Sequence, residues 1–330
     1  MHMADGLVSV PVAATMYGAT ALAAAYSIKK IKEDEDFSKK IPIMGVMGAF
    51  VFAAQMINFS IPGTGSSGHL CGGLLLSAVL GPYAGFISMI GVLLIQCLLF
   101  ADGGVLALGA NIWNMAFYGC FIGSMIWRMI NRKTMNKKTI FIASILGSVL
   151  TLQLGALSVC IETALSHITT LPFSAFIMVM LPIHLAIGAV EGVITGAVLC
   201  FLYDTREELI TDNLTDKKSI LSVKQVLAVL TCAFLVIGGG ISLLASSDPD
   251  GLEWSISQLT GDTEVESNSK AQETASKVQE TTSLLPDYSF KDSETLLGTN
   301  VSGIVGCIVT VTLLTVVGKL VKKKTSHEHS

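Results

Sequence analysis

Residues 174–203 read SAFIMVMLPIHLAIGAVEGVITGAVLCFLY, and within them only His184 and Glu191 are basic or acidic. As a helix this stretch is about 45 Å long at 1.5 Å per residue, more than the ~30 Å of a bilayer's hydrocarbon core. Eight further apolar runs surround it, at about 7–28, 41–59, 69–80, 82–100, 105–127, 139–160, 223–245 and 300–320. The 330 residues are 51% hydrophobic and 14% charged, against roughly 25% charged in soluble domains, and mean hydropathy is +0.65. The expected fold is therefore all-α, a polytopic membrane helix bundle of about nine segments, with the lipid bilayer as its surroundings and no nucleic-acid partner. The first run lacks a signal peptide's basic start and reads as a retained helix. The seven cysteines stand singly and read as packing residues.

The run at 69–80 is too short to span as a regular helix, and Gly81-Pro82 separates it from the next. Counting it as a crossing places the basic clusters at 29–40, 128–138, 206–224 and 319–324 on one side. Only Lys270, Lys277 and Lys291 fall opposite. The positive-inside rule then sets the amino terminus outside and the carboxyl terminus inside. The segment reads as short or re-entrant, its backbone buried in protein. Residues 1–205 form one expected unit, 206–222 a cytoplasmic linker, and 223–330 a two-helix appendage with an external loop at 246–298. Within that loop, 261–282 is polar enough to be expected as poorly ordered.

Gly63-Thr64-Gly65-Ser66-Ser67-Gly68 fits the dinucleotide fingerprint G-x-G-x-x-G letter for letter. It lacks the preceding strand and the acidic residue about 20 positions on, the first being Asp102. It reads instead as a flexible loop that delivers His69 to the external face. On the same face the chain begins Met1-His2-Met3. A His at position 2 can offer its ring Nδ1 and its deprotonated backbone nitrogen, with the terminal amine as a third donor. His69 would complete a square of nitrogens, which suits Ni(II) or Cu(II) better than Zn(II).

Met1-His2-Met3-Ala4-Asp5-Gly6, the run GTGSSGHLCGG at 63–73, Ala107-Leu108-Gly109-Ala110-Asn111, and His184 through Gly192 resemble the CbiM/NikM substrate-binding subunits of energy-coupling factor (ECF) transporters. The resemblance implies a metal site on the Met1 amine, His2 and His69, with Ni2+ or Co2+ as transported ion and no cofactor. It also implies a membrane coupling (T) subunit and cytoplasmic P-loop ATPases as partners, in the cell membrane of a prokaryote. Met3-Ala4 departs slightly from the family's usual opening but leaves the chelating atoms in place. No GxxxxGK[ST] occurs here, so the chain reads as a non-enzymatic subunit. Pro249 to Trp254 (PDGLEW) and Pro286 to Phe290 (PDYSF) resemble the PDGLE domain and the CbiN/NikN accessory subunits. These two ends of the external loop are expected to dock beside His2 and His69.

His184 and Glu191, seven apart, share a helix face, and ionisable groups inside a membrane default to functional hypotheses. They could assist the ion's release, or pair with Gln55, Asn58, Gln96, Asn111 or Asn114; Asn111 joins them as a possible support of the site. Glu162 and His167, in an external loop, could assist ion access but read rather as solvated surface. The competing readings are a membrane enzyme, for which His184 lacks a Ser or Asp partner by spacing, and a metal sensor or structural protein that binds without transporting.

Overall fold

A computed structural model describes residues 1–211, 219–263, 265, 269–291 and 296–327. Lys217, Lys218, Glu264, Glu266 and His329 lie outside the described residues, as do the side chains of 323–327. The elements run α1 Val10–Glu33, α2 Phe37–Gln55, β1 Phe59–Ile61, β2 Ser66–Gly68, α3 Gly73–Leu80, α4 Pro82–Leu99 and α5 Leu108–Asn111. A widened π-helical stretch, Ile112–Gly123, leads into α6 Ser124–Asn131. There follow α7 Lys137–Ser166, α8 Phe173–Thr205, α9 Val223–Gly239, α10 Gly251–Thr260, α11 Lys270–Thr282 and α12 Leu296–His327. The protein is a multi-pass helical membrane protein. Among the described residues five helices, α2, α4, α7, α8 and α12, combine the length and apolarity of a span. Their outward faces leave Leu146, Leu165, Met178, Leu185 and Ile308 bare, a surface suited to lipid.

Two features of sequence set the packing. Gly188 and Gly192 lie one turn apart on α8, where a Cβ would come within 2.9 Å of the Val149 Cα and 2.4 Å of the Ile145 Cα on α7. Their bareness lets α7 and α8 touch through backbone. The appendage is packed into the bundle, because α12 runs against α2 and α9 crosses it at Gly238 and Gly303.

The run at 69–80 resolves into an extended entry and the eight-residue α3, whose Leu74, Leu75 and Leu76 are buried. Eight residues reach about 12 Å, so α3 stops inside protein, and Gly81 (φ +84°) turns the chain into α4 at Pro82.

Three expectations are corrected. Residues 59–68 form a β-hairpin rather than a flexible loop, with Gly63 and Gly65 in the left-handed region at its turn. The hairpin is held from the appendage, since the Ser67 amide donates to the Pro249 carbonyl (2.8 Å) and the Trp254 indole to the Thr64 carbonyl (3.0 Å). Residues 270–282, expected to be poorly ordered, form α11, opened by a reciprocal Ser269–Gln272 cap. Tertiary bonds fix that helix: Gln272 donates to the Asp5 carbonyl (2.7 Å) and Gln279 to the Gly103 carbonyl (2.7 Å). Glu162 belongs to α7, buried and bonded by the Asn114 amide (2.7 Å). His167 caps that helix in a left-handed conformation and is exposed. All seven cysteines are free; Cys232 is exposed and the other six are buried.

Candidate metal centre

The amino terminus is threaded into the bundle and held by its backbone. The Asn111 side chain, at the end of α5, accepts from the Met3 amide (2.7 Å) and donates to the Met3 carbonyl (3.1 Å), as a paired strand would. The Met3 carbonyl also accepts from Gly104 (2.9 Å), and the Asp5 carboxylate accepts from the Ala107 amide (3.0 Å). Gly103 must be glycine for two reasons: its φ is +81°, and a Cβ would lie 2.8 Å from the Asn111 Nδ2 and 3.2 Å from the His2 Cβ. Asn111 is thus a clamp on the chain that carries Met1 and His2, and pairs with neither His184 nor Glu191.

The structure brings Met1, His2 and His69 together. The Met1 amine lies 3.2 Å from the His69 Nε2, and the His2 and His69 rings are 5.3 Å apart at their centroids. His69 Nδ1 faces the Leu70 carbonyl at 3.0 Å. A carbonyl only accepts, so the proton sits on Nδ1 and the Nε2 lone pair faces the amine. Burial, then the neighbouring positive amine and His2, push His69 down to about 3, which keeps it neutral and able to ligate. His2 is turned away from the expected chelate: its Nδ1 is paired with Asp102, and its Nε2 is buried without a hydrogen-bond partner. Chelation through Nδ1 therefore needs the ring to leave Asp102.

Two carboxylates that sequence reasoning did not select hold these nitrogens. Asp250, at the N-cap of α10, forms an ion pair with the Met1 amine and stands 4.0 Å from the His69 Nε2. Burial alone would raise its pKa, but the amine and His69 outweigh it and hold it well below the usual range. Asp102 also accepts from the Tyr288 hydroxyl (2.6 Å). Burial opposes its ionisation, yet His2, Tyr288 and His69 together bring it down to about 2. Asp250 and Tyr288 belong to the two appendage stretches expected to dock here, and both do. Among the described residues no three His, Cys, Asp or Glu side chains converge on one ion as they are placed, and the nitrogens that do meet here include the main-chain amine of Met1.

Glu191 supports the site from below. Its buried carboxylate accepts from the Cys71 and Gly72 amides at 2.9 and 3.1 Å, satisfying free N–H groups where His69 leads into α3. His184 does not pair with it; its Nδ1 meets the Met180 carbonyl at 2.8 Å.

Two cavities meet the cluster. A vestibule of ≈540 Å3 under the appendage reaches His2 and His69 past Asp5, Asp102, Asp250 and Glu253. A small cavity of ≈10 Å3 lies on another side, lined by Met1, His69, Cys71, Met115, His184 and Gly251 among others. A larger cavity, ≈700 Å3 among Lys40, Arg128 and Arg132, shares no lining residue with either.

Comparison with known proteins agrees with this architecture. Residues 2–209 match the family model described as the cobalt uptake substrate-specific transmembrane region, and residues 224–323 match the PDGLE domain. A putative fused nickel transport protein NikMN of Archaeoglobus fulgidus is 33% identical over 95% of this chain and 96% of its own length. A probable fused nickel transport protein LarMN of Lactiplantibacillus plantarum is 30% identical over 78% of this chain and 79% of its own. A solved structure of a truncated transition metal transporter is 35% identical with a TM-score of 0.54, covering 61% of this chain and 98% of that one. The chain accordingly belongs to the cobalt uptake substrate-specific transmembrane family, with a PDGLE domain following in the same polypeptide.

Proposed function

We propose that this chain is the ion-capturing membrane subunit of an ATP-driven importer of the ECF type for Ni2+ or Co2+, in the cell membrane of a prokaryote. Its amino terminus lies outside and its carboxyl terminus inside. A membrane coupling subunit and cytoplasmic P-loop ATPases supply the drive, and the chain has no catalysis of its own. Residues 1–205 serve as metal-binding core, 206–222 as linker and 223–330 as accessory unit. The observation that supports this reading most is the convergence of the Met1 amine, His2 and His69 inside a membrane bundle at the floor of an acidic vestibule.

Capture follows from the chemistry of those groups. The ion enters among Asp5, Asp102, Asp250 and Glu253. The amine gives up a proton to become a donor, as does the His2 amide; the His2 ring passes its Nδ1 proton to the unpaired Nε2 and turns Nδ1 from Asp102 to the ion, and His69 presents its lone pair. Such binding releases protons. It also conserves charge: the ammonium carries one positive charge, and a dipositive ion on an ionised amide and a neutral amine carries one as well. Asp250 therefore faces the same charge before and after capture, and the appendage stays docked in both states.

The test is nickel and cobalt accumulation in cells carrying the whole transporter. Uptake of at least one ion, abolished by His69→Ala, is expected. Failure of the unaltered chain to promote uptake of either would overturn the transport reading.

A further inference from the structure

His184 is 1% exposed, and its Nε2 has no hydrogen-bond partner among the described residues. The bond from Nδ1 to the Met180 carbonyl (2.8 Å) requires the proton on Nδ1. A second N–H on Nε2 would add a cation beside the Met1 ammonium in a cavity whose one carboxylate, Asp250, is already paired with that amine, so Nε2 carries a lone pair. That atom lines the small cavity it shares with Met1 and His69. The ring is held there by α8 on one side and by Gly251 on the other, where an added Cβ would come within 3.0 Å of Cε1 and 3.2 Å of Nε2. The cavity, ≈10 Å3, has room for about one water-sized body. It excludes a hydrated ion but admits a bare one drawn to its edge.

We propose that His184 Nε2 is an additional ligand of the captured ion, a fifth nitrogen that discriminates Co2+ from Ni2+. The inference rests on capture at Met1, His2 and His69. Four nitrogens in a square satisfy the d8 Ni2+ ion, which gains little from another donor. The d7 Co2+ ion gains more from a fifth bond, so a lone pair facing the square's occupant from the cavity offsets cobalt's weaker affinity for four nitrogens. Gly251 belongs to the appendage, so docking of that unit positions the discriminating ligand.

The experiment is X-ray absorption on the purified full chain, with its native amino terminus, loaded anaerobically with Co2+ or Ni2+. Calorimetric titration with each ion accompanies it, for the unaltered chain and His184→Gln. The unaltered cobalt form should show five nitrogen donors and H184Q four. Cobalt affinity should fall about tenfold or more, within the range typical of losing one partner at a metal site, and nickel affinity by less than about threefold. Four donors in the unaltered cobalt form overturn the inference even if H184Q fails to fold. So does a fifth donor that persists in H184Q, which would point to Asp250 or water. Absence of any binding by the unaltered chain overturns the capture reading itself; binding with an unchanged coordination number overturns only the part given to His184.

Discussion

Asp250 and His69 both touch the Met1 amine, yet their removal should have unequal consequences. His69→Ala takes away a nitrogen that the ion has no other means to replace, and affinity should drop by about 100-fold or more, at or beyond the usual range for supporting residues. Asp250→Asn removes a charge that meets the same net charge with or without the ion, so affinity should change by less than about tenfold while the melting temperature falls. Calorimetric titration and thermal melts of the two variants give the ranking, and equal losses of affinity would contradict it. The pH behaviour of the metal-free protein has a definite sign. His69 is lowered from 6.5 to about 3 on folding, so the unfolded chain binds the proton first. Its contribution is fully present above about pH 6.5 and is lost as pH falls towards 3. Asp102, lowered from 3.8 to about 2, acts in the same direction at still lower pH. Melting temperature should therefore decline from pH 7 to pH 4, and less steeply in His69→Ala. The nitrogens of this site were legible in the sequence because Met1-His2 is a local chelate and His69 follows a glycine-rich turn. Asp102 and Asp250 were not, since an ion pair across 100 or 249 residues leaves no periodic trace. Only the Asp250–Glu253 capping box, a signature of a helix start, marked the second of them.

At the scale of elements, α3 depends on a group from another helix. Glu191→Ala would leave the Cys71 and Gly72 amides buried and unpaired, at about 1–3 kcal/mol each, and would loosen the segment that carries His69. Glu191→Gln keeps an acceptor oxygen and should recover part of the loss, read as melting temperature and ion affinity together; equal defects in both variants would contradict the capping account. Shortness and the Gly81-Pro82 break announced α3 from sequence, and hydropathy located the long helices but stopped short of the ends of α7 and α12, which run on to Ser166 and His327. The hairpin and α11 escaped, for different reasons. The hairpin's Ser67 is tied to Pro249, far along the chain. The polar composition of 270–282 argues against a helix that owes its place to Gln272 and Gln279 reaching into the core.

Across the whole molecule, the appendage is a lid that shares the core's framework. Its α12 packs along α2, its α10 seats Asp250 on the Met1 amine, and Tyr288 holds Asp102. Hydropathy and the two PDGLE-like stretches made a two-helix unit with an external loop legible. They carried no information on how closely it packs, because that depends on bare backbone at Gly238 and Gly303. If capture proceeds as proposed, each ion bound should release about two protons near neutral pH, from the amine and the His2 amide. Titration in buffers of different ionisation enthalpy measures this, and zero release would contradict amide ligation. Ligation of the ion by the free Met1 amine together with His2 and His69 has a more direct test. Nickel and cobalt titrations should compare the native chain with one extended by a single residue before Met1, each confirmed as folded. The extension should abolish high-affinity binding of both ions, because the amine becomes an amide and His2 moves out of chelating position; undiminished affinity in the extended chain would contradict ligation by the free amine.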